Sequence, residues 1–353
     1  MLTRTLMCYL LCGTRLFQQS MRNTLANVLV LISAEVPIST GQKGTLLASI
    51  AFGYFLTQVP GGKLADKLGA KNVMTWALAC SALCCLALPT AFDKFGMNGM
   101  IATLVMMGAV QGPLFPTSSV FLANWMPSPK PGQPDEKAWG TSMLDIGISV
   151  GTLAIIPTVA KLSAAVGWRH TYHVVGLASL GFVAVWQVLA AATPADSWLI
   201  SVEEKAYLDA NLTKKKKPEQ GGAKGKESAA MQSGMLGIPW AVAVHPGLWA
   251  VFGAHMAFNF GAYYLTNWSG TYYKDVLGVA PEDAYLHLML PHVTNLAAKA
   301  SNPSIVAYLA RNGYSLRDSR RAFTCTGFVL ASLLLAAVYP LRGPPQRTTN
   351  LQP

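Results

Sequence analysis

The sequence predicts an all-α protein, a bundle of helices that crosses a membrane many times, and three observations carry that prediction. Only 12% of the 353 residues are Asp, Glu, Lys or Arg, against about 25% in soluble domains. Several uncharged runs, among them Gly44–Gly62, Asn72–Phe92, Phe95–Pro129, Val174–Ala195 and Ala322–Leu341, approach or exceed the roughly 20 helical residues that cross a hydrocarbon core of about 30 Å. These runs are continuously apolar, not alternating. In lipid the backbone must satisfy its own hydrogen bonds, so they read as helices and not as barrel strands.

Taken in order, six spans fall near residues 5–34, 44–62, 72–92, 98–124, 139–162 and 172–193. A polar break over residues 194–237 follows, containing "TKKKKPEQGGAKGKESAA", which is basic, glycine-rich and poor in apolar residues, the composition of a flexible linker. Three further spans lie near 246–270, 284–310 and 322–341; the eighth is interrupted by Lys299, Asn302, Pro303 and Arg311. The expected organisation is a six-helix bundle over 1–193, a cytoplasmic linker over 194–237 and a partial second bundle over 238–345. Six helices, a basic linker and a second block is the plan of a transporter built from two six-helix halves. Here the second block stops at three spans, so the chain is read as C-terminally shortened relative to that plan.

The net charge of +11 raises nucleic acid as a partner, but its distribution excludes that class. Lys63, Lys67 and Lys71 follow the second span and Lys214–Lys217 lie in the linker, where lysines fix membrane orientation and mark cytoplasmic loops. The six cysteines lie within or beside apolar segments without metal-ligand spacing and read as packing residues. No metal, cofactor or catalytic constellation is expected, and the protein is read as a monomer and not an enzyme.

The segment "GYFLTQVPGGKLADKLGAKNV" at 53–73 joins the second span to the third. Its glycines permit a tight turn, its lysines hold the loop at the cytoplasmic surface, and Asp66 is placed to pair with a cation or a helix N-terminus. Gly62, Leu64, Ala65, Asp66, Lys67, Gly69 and Lys71 match the loop between helices 2 and 3 of the major facilitator superfamily, which they resemble at every spacing. The longer context is similar to the anion:cation symporter branch of that superfamily, which holds the plant type-4 phosphate transporters and the vesicular glutamate transporters. "ISVEEKAYL" at 200–208, "IPWAVAVHPGLWAVFGAHMAFNFGAYYL" at 238–265, "LMLPH" at 288–292 and "GYSLRDSRRAFTCTGF" at 313–328 carry the likeness, closest to the plant phosphate subgroup. The resemblance implies a major facilitator fold with a complete first half and about three helices of the second. It also implies a gating loop at Gly62, Asp66, Lys67, Gly69 and Lys71.

Arg15 and Arg22 lie inside the first span, where a guanidinium at a helix centre costs at least about 2.5–3.5 kcal/mol. Aligned with the family, "MRNTLANVLVLISAE" places Arg22 on the arginine that contacts the anionic substrate. A planar fork that stays charged at cellular pH suits phosphate or carboxylate. The competing reading of Arg22 is a structural arginine paired with Glu35 or snorkelling to the surface; Arg15 is read as structural. His255 and Asn259 are one helical turn apart in the seventh span and Tyr263 extends their face, so all three are candidates for the same cavity. Gln111, also a candidate substrate contact, stands where the branch places an acid in its fourth helix, and Met21 stands where an acid precedes the first-helix arginine. Neither residue titrates. Asp145, about 10 Å into the fifth span, is the candidate coupling acid, with three readings open: a proton site, a partner for Arg22, or a residue near the cytoplasmic surface. Gly147 and Gly151 beside it have the spacing that permits close helix contact.

The expected function is secondary transport of inorganic phosphate or a small organic anion by alternating access, with a proton or sodium gradient as a coupling option and the bilayer as the surroundings. The alternative is a transport-inactive, shortened membrane protein with a binding or scaffold role. The organelle cannot be read from the sequence.

Overall fold

The computed structural model describes residues 2–127, 136–212 and 244–341, and among these there is no strand. Helix α1 runs Thr3–Glu35, α2 Thr40–Leu68, α3 Ala70–Gln111, α4 Leu114–Trp125 and α5 Glu136–Leu189; a short helix α6 covers Val202–Asn211, and α7 Pro246–Asp275, α8 Pro281–Arg311 and α9 Leu316–Leu341 complete the order.

Two of these elements hold more than one span. The apolar stretch Ala70–Trp125 is 56 residues, about 84 Å of helix at 1.5 Å per residue, which no bilayer core of about 30 Å accommodates in one pass. The chain doubles back at Gly96 (φ 58°), and α5 does the same at Gly167 (φ 81°). A side chain at either turn would meet the left-handed penalty that glycine avoids. The fourth span is itself broken at Gly112–Pro113 and resumes as α4. The described residues thus hold six long helical segments up to Leu189 and three from Pro246 onward, and of these Ala70–Trp125, Trp139–Leu189 and Arg317–Ala337 are long and apolar enough to cross a membrane.

The two ends of the bundle differ. Lys67, Lys71 and α6 lie at one end, here called the basic end, and Glu35, Lys43, Asp93 and Asp275 lie at the other, the far end. Each end is tied by charge. At the basic end Glu204 on α6 accepts hydrogen bonds from the free backbone N–H groups of Thr3 (2.8 Å) and Arg4 (3.0 Å) at the start of α1, while Arg4 pairs with Glu136 (3.2 Å). This corrects the expectation of a flexible linker from residue 194 onward: residues 194–212 are built into the fold because a carboxylate there satisfies a helix N-terminus. The basic run 213–230 lies outside the described residues. At the far end Arg169 bridges Glu35 (2.8 Å) and Asp93 (3.0 Å), joining the end of α1 to both turns.

Within the six-span half, α1 lies along α5 and α2 along α3. The Gly147–Gly151 pair sits against the backbone of α1: a Cβ at Gly151 would stand 2.5 Å from the Leu16 carbonyl oxygen, and one at Gly147 would collide with that of Cys12. Backbones this close allow Asn23 to donate to Thr152 (3.0 Å) and Ser20 to the Gly151 carbonyl (3.3 Å). Around this seam Trp125, Trp168, Trp186, Tyr172 and Phe121 are fully buried. The second half is looser. α7 has no buried residue and meets the first half chiefly through α1, while α8 meets it through α5. Despite its interruptions, α8 is continuous. Lys299 turns toward α5 and reaches Ser149 (3.2 Å), so its charge has a polar neighbour in the protein.

Candidate functional site

Arg22 sits near the middle of α1, 19 residues from its start and 13 from its end. Its guanidinium lies 5.3 Å from the ring centre of Tyr54 on α2 and 5.3 Å from that of Tyr263 on α7, and its Nη2 donates to the Tyr263 hydroxyl at 3.3 Å. Among the described residues no carboxylate pairs with it. Glu35, its candidate partner, is engaged by Arg169 at the far end, 13 residues or about 20 Å along α1. The reading of Arg22 as half of a structural ion pair with Glu35 is therefore overturned.

Arg22 opens on a cavity of about 270 Å³ between α1, α2 and α7, lined also by Asn23, Gly44, Ala48, Tyr263 and Asn267. That volume is many times what one water needs and falls just below the range of sites for drug-sized ligands, so it has room for a small hydrated ion. The charge is fixed there by aromatic faces and a hydroxyl, which orient a guanidinium without neutralising it. A second, smaller recess of about 20 Å³ shares Asn23 and adds Asn27, Thr152, Thr266 and His292, carrying the polar wall across to α5 and α8.

The other expected site residues divide. Tyr263 joins Arg22. His255 and Asn259 do not line either cavity: they lie nearer the basic end of α7, with His255 exposed and the Asn259 amide donating to the His255 carbonyl (2.9 Å). The polar face of α7 that meets the cavity runs the other way, through Tyr263 to Asn267. Gln111 is corrected as a substrate contact. It is fully buried inside the six-span half, with neither amide atom hydrogen-bonded among the described residues, and the Gly112 backbone beside it packs directly on Thr57 of α2.

Arg15 is also interior, its guanidinium bonded to Gln18 and 5.3 Å from the ring centre of Phe115. Asp145 is exposed on α5 within electrostatic range of Arg15 and makes no ion pair among the described residues. In the 2–3 loop, Gly69 alone joins α2 to α3 with φ 82°, Lys67 occupies the last turn of α2, and Lys71 donates to the Gln187 carbonyl (2.9 Å). Gly61, next to the expected Gly62, makes the close approach: a Cβ on it would stand 2.5 Å from the Pro113 Cα, whereas Gly62 has ordinary room. The Asp66 side chain lies outside the described residues.

Sequence reasoning did not place Tyr54 or Asn267 at this site. Tyr54 lies within the segment quoted at 53–73, but nothing local says that its ring faces α1.

The sequence profile described as the Major Facilitator Superfamily matches residues 11–345. The chain belongs to the major facilitator superfamily. Its relatives in this superfamily include "Probable anion transporter 4, chloroplastic" of Oryza sativa subsp. japonica, 25% identical over 314 residues, covering 89% of this chain and 49% of the relative. "Ascorbate transporter, chloroplastic" of Arabidopsis thaliana is 25% identical, with 95% of this chain and 58% of the relative covered. "Sodium-dependent phosphate transport protein 1, chloroplastic", also of Arabidopsis thaliana, is 22% identical, with 95% and 61% covered. The chain spans about half to three-fifths of the length of these relatives. They are consistent with the anion:cation symporter branch. A bacterial homologue of the human lysosomal transporter Spinster, solved inward-facing and unoccupied, superposes with a TM-score of 0.61 at 14% identity over 88% of this chain and 63% of its own; at that identity it speaks for the fold alone. This major facilitator protein is a multi-pass membrane protein, and its family and fold neighbours are transporters, not enzymes.

Proposed function

We propose that this major facilitator protein carries a small anion, inorganic phosphate or an organic anion such as ascorbate, across its membrane, with Arg22 as the group that holds the passenger. One observation carries the reading: a guanidinium near the middle of α1 opens on a cavity and, among the described residues, has only π faces and a hydroxyl as partners. Cation–π contacts return about 0.5–2 kcal/mol each, whereas the charge costs at least about 2.5–3.5 kcal/mol at a helix centre. An anion in the cavity supplies the missing compensation, and the guanidinium fork can hold two of its oxygens at once.

The places where the halves touch support a reading of alternating access. Lys43 on α2 and Asp275 on α7 pair at 3.0 Å, and Lys274 donates to the Val30 carbonyl at 2.9 Å, so the far end is closed. The basic-end half of α7 stands clear of the first half, which leaves the cavity open on that side. In this reading the first body, which includes α6, and the second body, α7 to α9, rock about the cavity as a monomer, and the Gly62, Asp66, Lys67, Gly69 and Lys71 loop latches the basic end. Asp145 is the acid available for coupling to a proton or sodium gradient; facilitated flow down the anion gradient is the other mode.

The test is uptake into liposomes holding the purified chain. Accumulation of labelled phosphate or ascorbate above protein-free liposomes, lost on Arg22→Gln, is the expected result. No uptake under imposed anion, proton or sodium gradients contradicts the proposal.

A further inference from the structure

The smaller recess is too tight for the proposed passenger, but it holds a titratable group. His292 on α8 lines it together with Asn23 and Asn27 on α1, Thr152 on α5 and Thr266 on α7, so both halves of the bundle build its wall. At about 20 Å³ it has room for a single water. The half-buried imidazole has no hydrogen-bond partner among the described residues. It stands 11 residues from the far-end start of α8, as Arg22 stands 13 from the far-end close of α1.

Asn23 joins this recess to the anion cavity. It follows Arg22 in α1 and lines both spaces; its amide donates to Thr152 (3.0 Å) and accepts from Gln19 (3.1 Å). Asn27 donates to the Asn23 carbonyl (2.8 Å). Both asparagines are thus held within the first half, and His292 is the group that the second half brings to them.

The charges around the imidazole are mostly positive. No other residue lining the recess titrates. On α1 Arg22 is adjacent to the wall, while Glu35 is engaged by Arg169 at the far end. On α5 Asp145 lies about two turns from Thr152 toward the basic end and the exposed Lys161 about two and a half turns the other way. On α7 Tyr263 is bound to Arg22, and Lys274 and Asp275 are engaged by the Val30 carbonyl and Lys43. On α8 itself Lys299 is within electrostatic range and His287 packs on Tyr273, ring centres 5.8 Å apart. From residue 322 to 341 α9 carries no charge. A proton on His292 therefore adds a cation beside Arg22 and Lys299 with no carboxylate in the recess, which like charges oppose. An anion on Arg22 removes that opposition. By linkage, a proton that the anion favours must favour the anion equally.

We infer that His292 is a proton-binding residue, contributed by the second half, whose protonation strengthens anion binding at Arg22. Imidazole is the side chain whose ordinary titration falls between pH 5 and 8. With the halves together the proton is held next to the anion; when they part, the recess opens to water and the proton is free to leave. This rests on the anion reading of Arg22 and gives proton coupling a group other than Asp145.

The experiment is equilibrium binding of labelled phosphate, and separately of labelled ascorbate, to the full purified chain in nanodiscs at about pH 5.5 and about pH 8, for wild type, His292→Gln, Asp145→Asn and Arg22→Gln. The quantity read is the wild-type affinity divided by that of His292→Gln at each pH, in which the titration of the anion itself cancels. That ratio should lie within about twofold of one at the higher pH and rise to about fivefold or more at the lower, and Asp145→Asn should keep the wild-type pH dependence. His292→Asn repeats the comparison should the Gln variant not elute as monodisperse protein. A ratio equal at both pH values overturns the inference, in favour of a packing or water-holding role if affinity is lost, and leaves the Arg22 reading standing if Arg22→Gln abolishes binding. Binding of neither anion to wild type overturns both.

Discussion

The Arg22 guanidinium and the Tyr263 hydroxyl meet at 3.3 Å although they are 241 residues apart, one in each half of the bundle. The contact ties the proposed anion holder to the helix that must move in alternating access. Tyr263→Phe removes one hydrogen bond and keeps the aromatic face. It should weaken phosphate binding by about 0.5–1.5 kcal/mol, or roughly two- to tenfold. Tyr263→Ala also removes the cation–π contact and should weaken it further. Isothermal titration of the two variants checks the order; equal affinity in both would show that the ring does not position Arg22.

The Lys43–Asp275 pair at 3.0 Å holds the far end shut. The Lys43 side chain is 9% exposed and that of Asp275 47%, so solvent screens the pair and its contribution is about 1 kcal/mol, a fivefold shift between closed and open far ends. In Asp275→Asn a cysteine introduced at Ala48, in the cavity wall, should react several-fold faster with a membrane-impermeant thiol reagent added from the far side. An unchanged rate would mean that the closure depends on other contacts.

Much of the fold is legible in the sequence because lipid leaves a strong mark on it. Long apolar runs with few charges mark the all-helical character, and the four-residue spacing of Gly147 and Gly151 marks the close contact that the α1–α5 seam makes. What local pattern does not encode is which helix a polar group will meet. Arg22 is identifiable as an expensive charge, but its partners Tyr54 and Tyr263 come from two other helices. The helical repeat puts His255, Asn259 and Tyr263 on one face of α7, yet only Tyr263 reaches the described cavity, because α7 meets α1 toward its far end and stands free at the other. Lys299 looks like a break in the eighth span because a hydropathy count records its charge and not Ser149 across the interface. Gln111 misleads for a related reason. A polar residue in a span signals a polar neighbour or a cavity, and here the close packing of the fourth span on α2 leaves it in the interior with neither.

The α1–α5 seam tolerates no added bulk. Gly151→Leu places a side chain where a Cβ alone would stand 2.5 Å from the Leu16 carbonyl, and overpacking of this kind costs about 1–3 kcal/mol. A lower apparent melting temperature in detergent is expected, with weaker phosphate binding because Asn23 and Thr152 are pushed apart. Gly151→Ala should show the same effects at smaller size. Wild-type melting in both variants would contradict the packing described.

The far-end cluster should carry a pH signature. Glu35 is held below the usual carboxylate range by the Trp168 indole N–H, which stands outside full hydrogen-bond geometry, and by the Arg169 guanidinium at 2.8 Å. A carboxyl whose pKa is depressed by folding stabilises the protein above its unfolded pKa, and that contribution disappears as pH falls through the folded value. The pair is solvent-screened, so the effect is below about 1 kcal/mol. Glu35→Gln should therefore melt slightly below wild type at neutral pH and indistinguishably from it once the pH has fallen through the depressed folded value. A difference that persists in acid would assign the effect to packing rather than charge.

The account depends most on the charge at Arg22 being satisfied by the passenger. Its most direct test is equilibrium binding of labelled phosphate and ascorbate to the purified chain bearing Arg22→Gln or Arg22→Lys, each checked for a wild-type melting profile. The account predicts loss of binding beyond detection in Arg22→Gln and a reduction of about tenfold or more in Arg22→Lys, which keeps the charge but not the fork. Wild-type affinity in Arg22→Gln would contradict it.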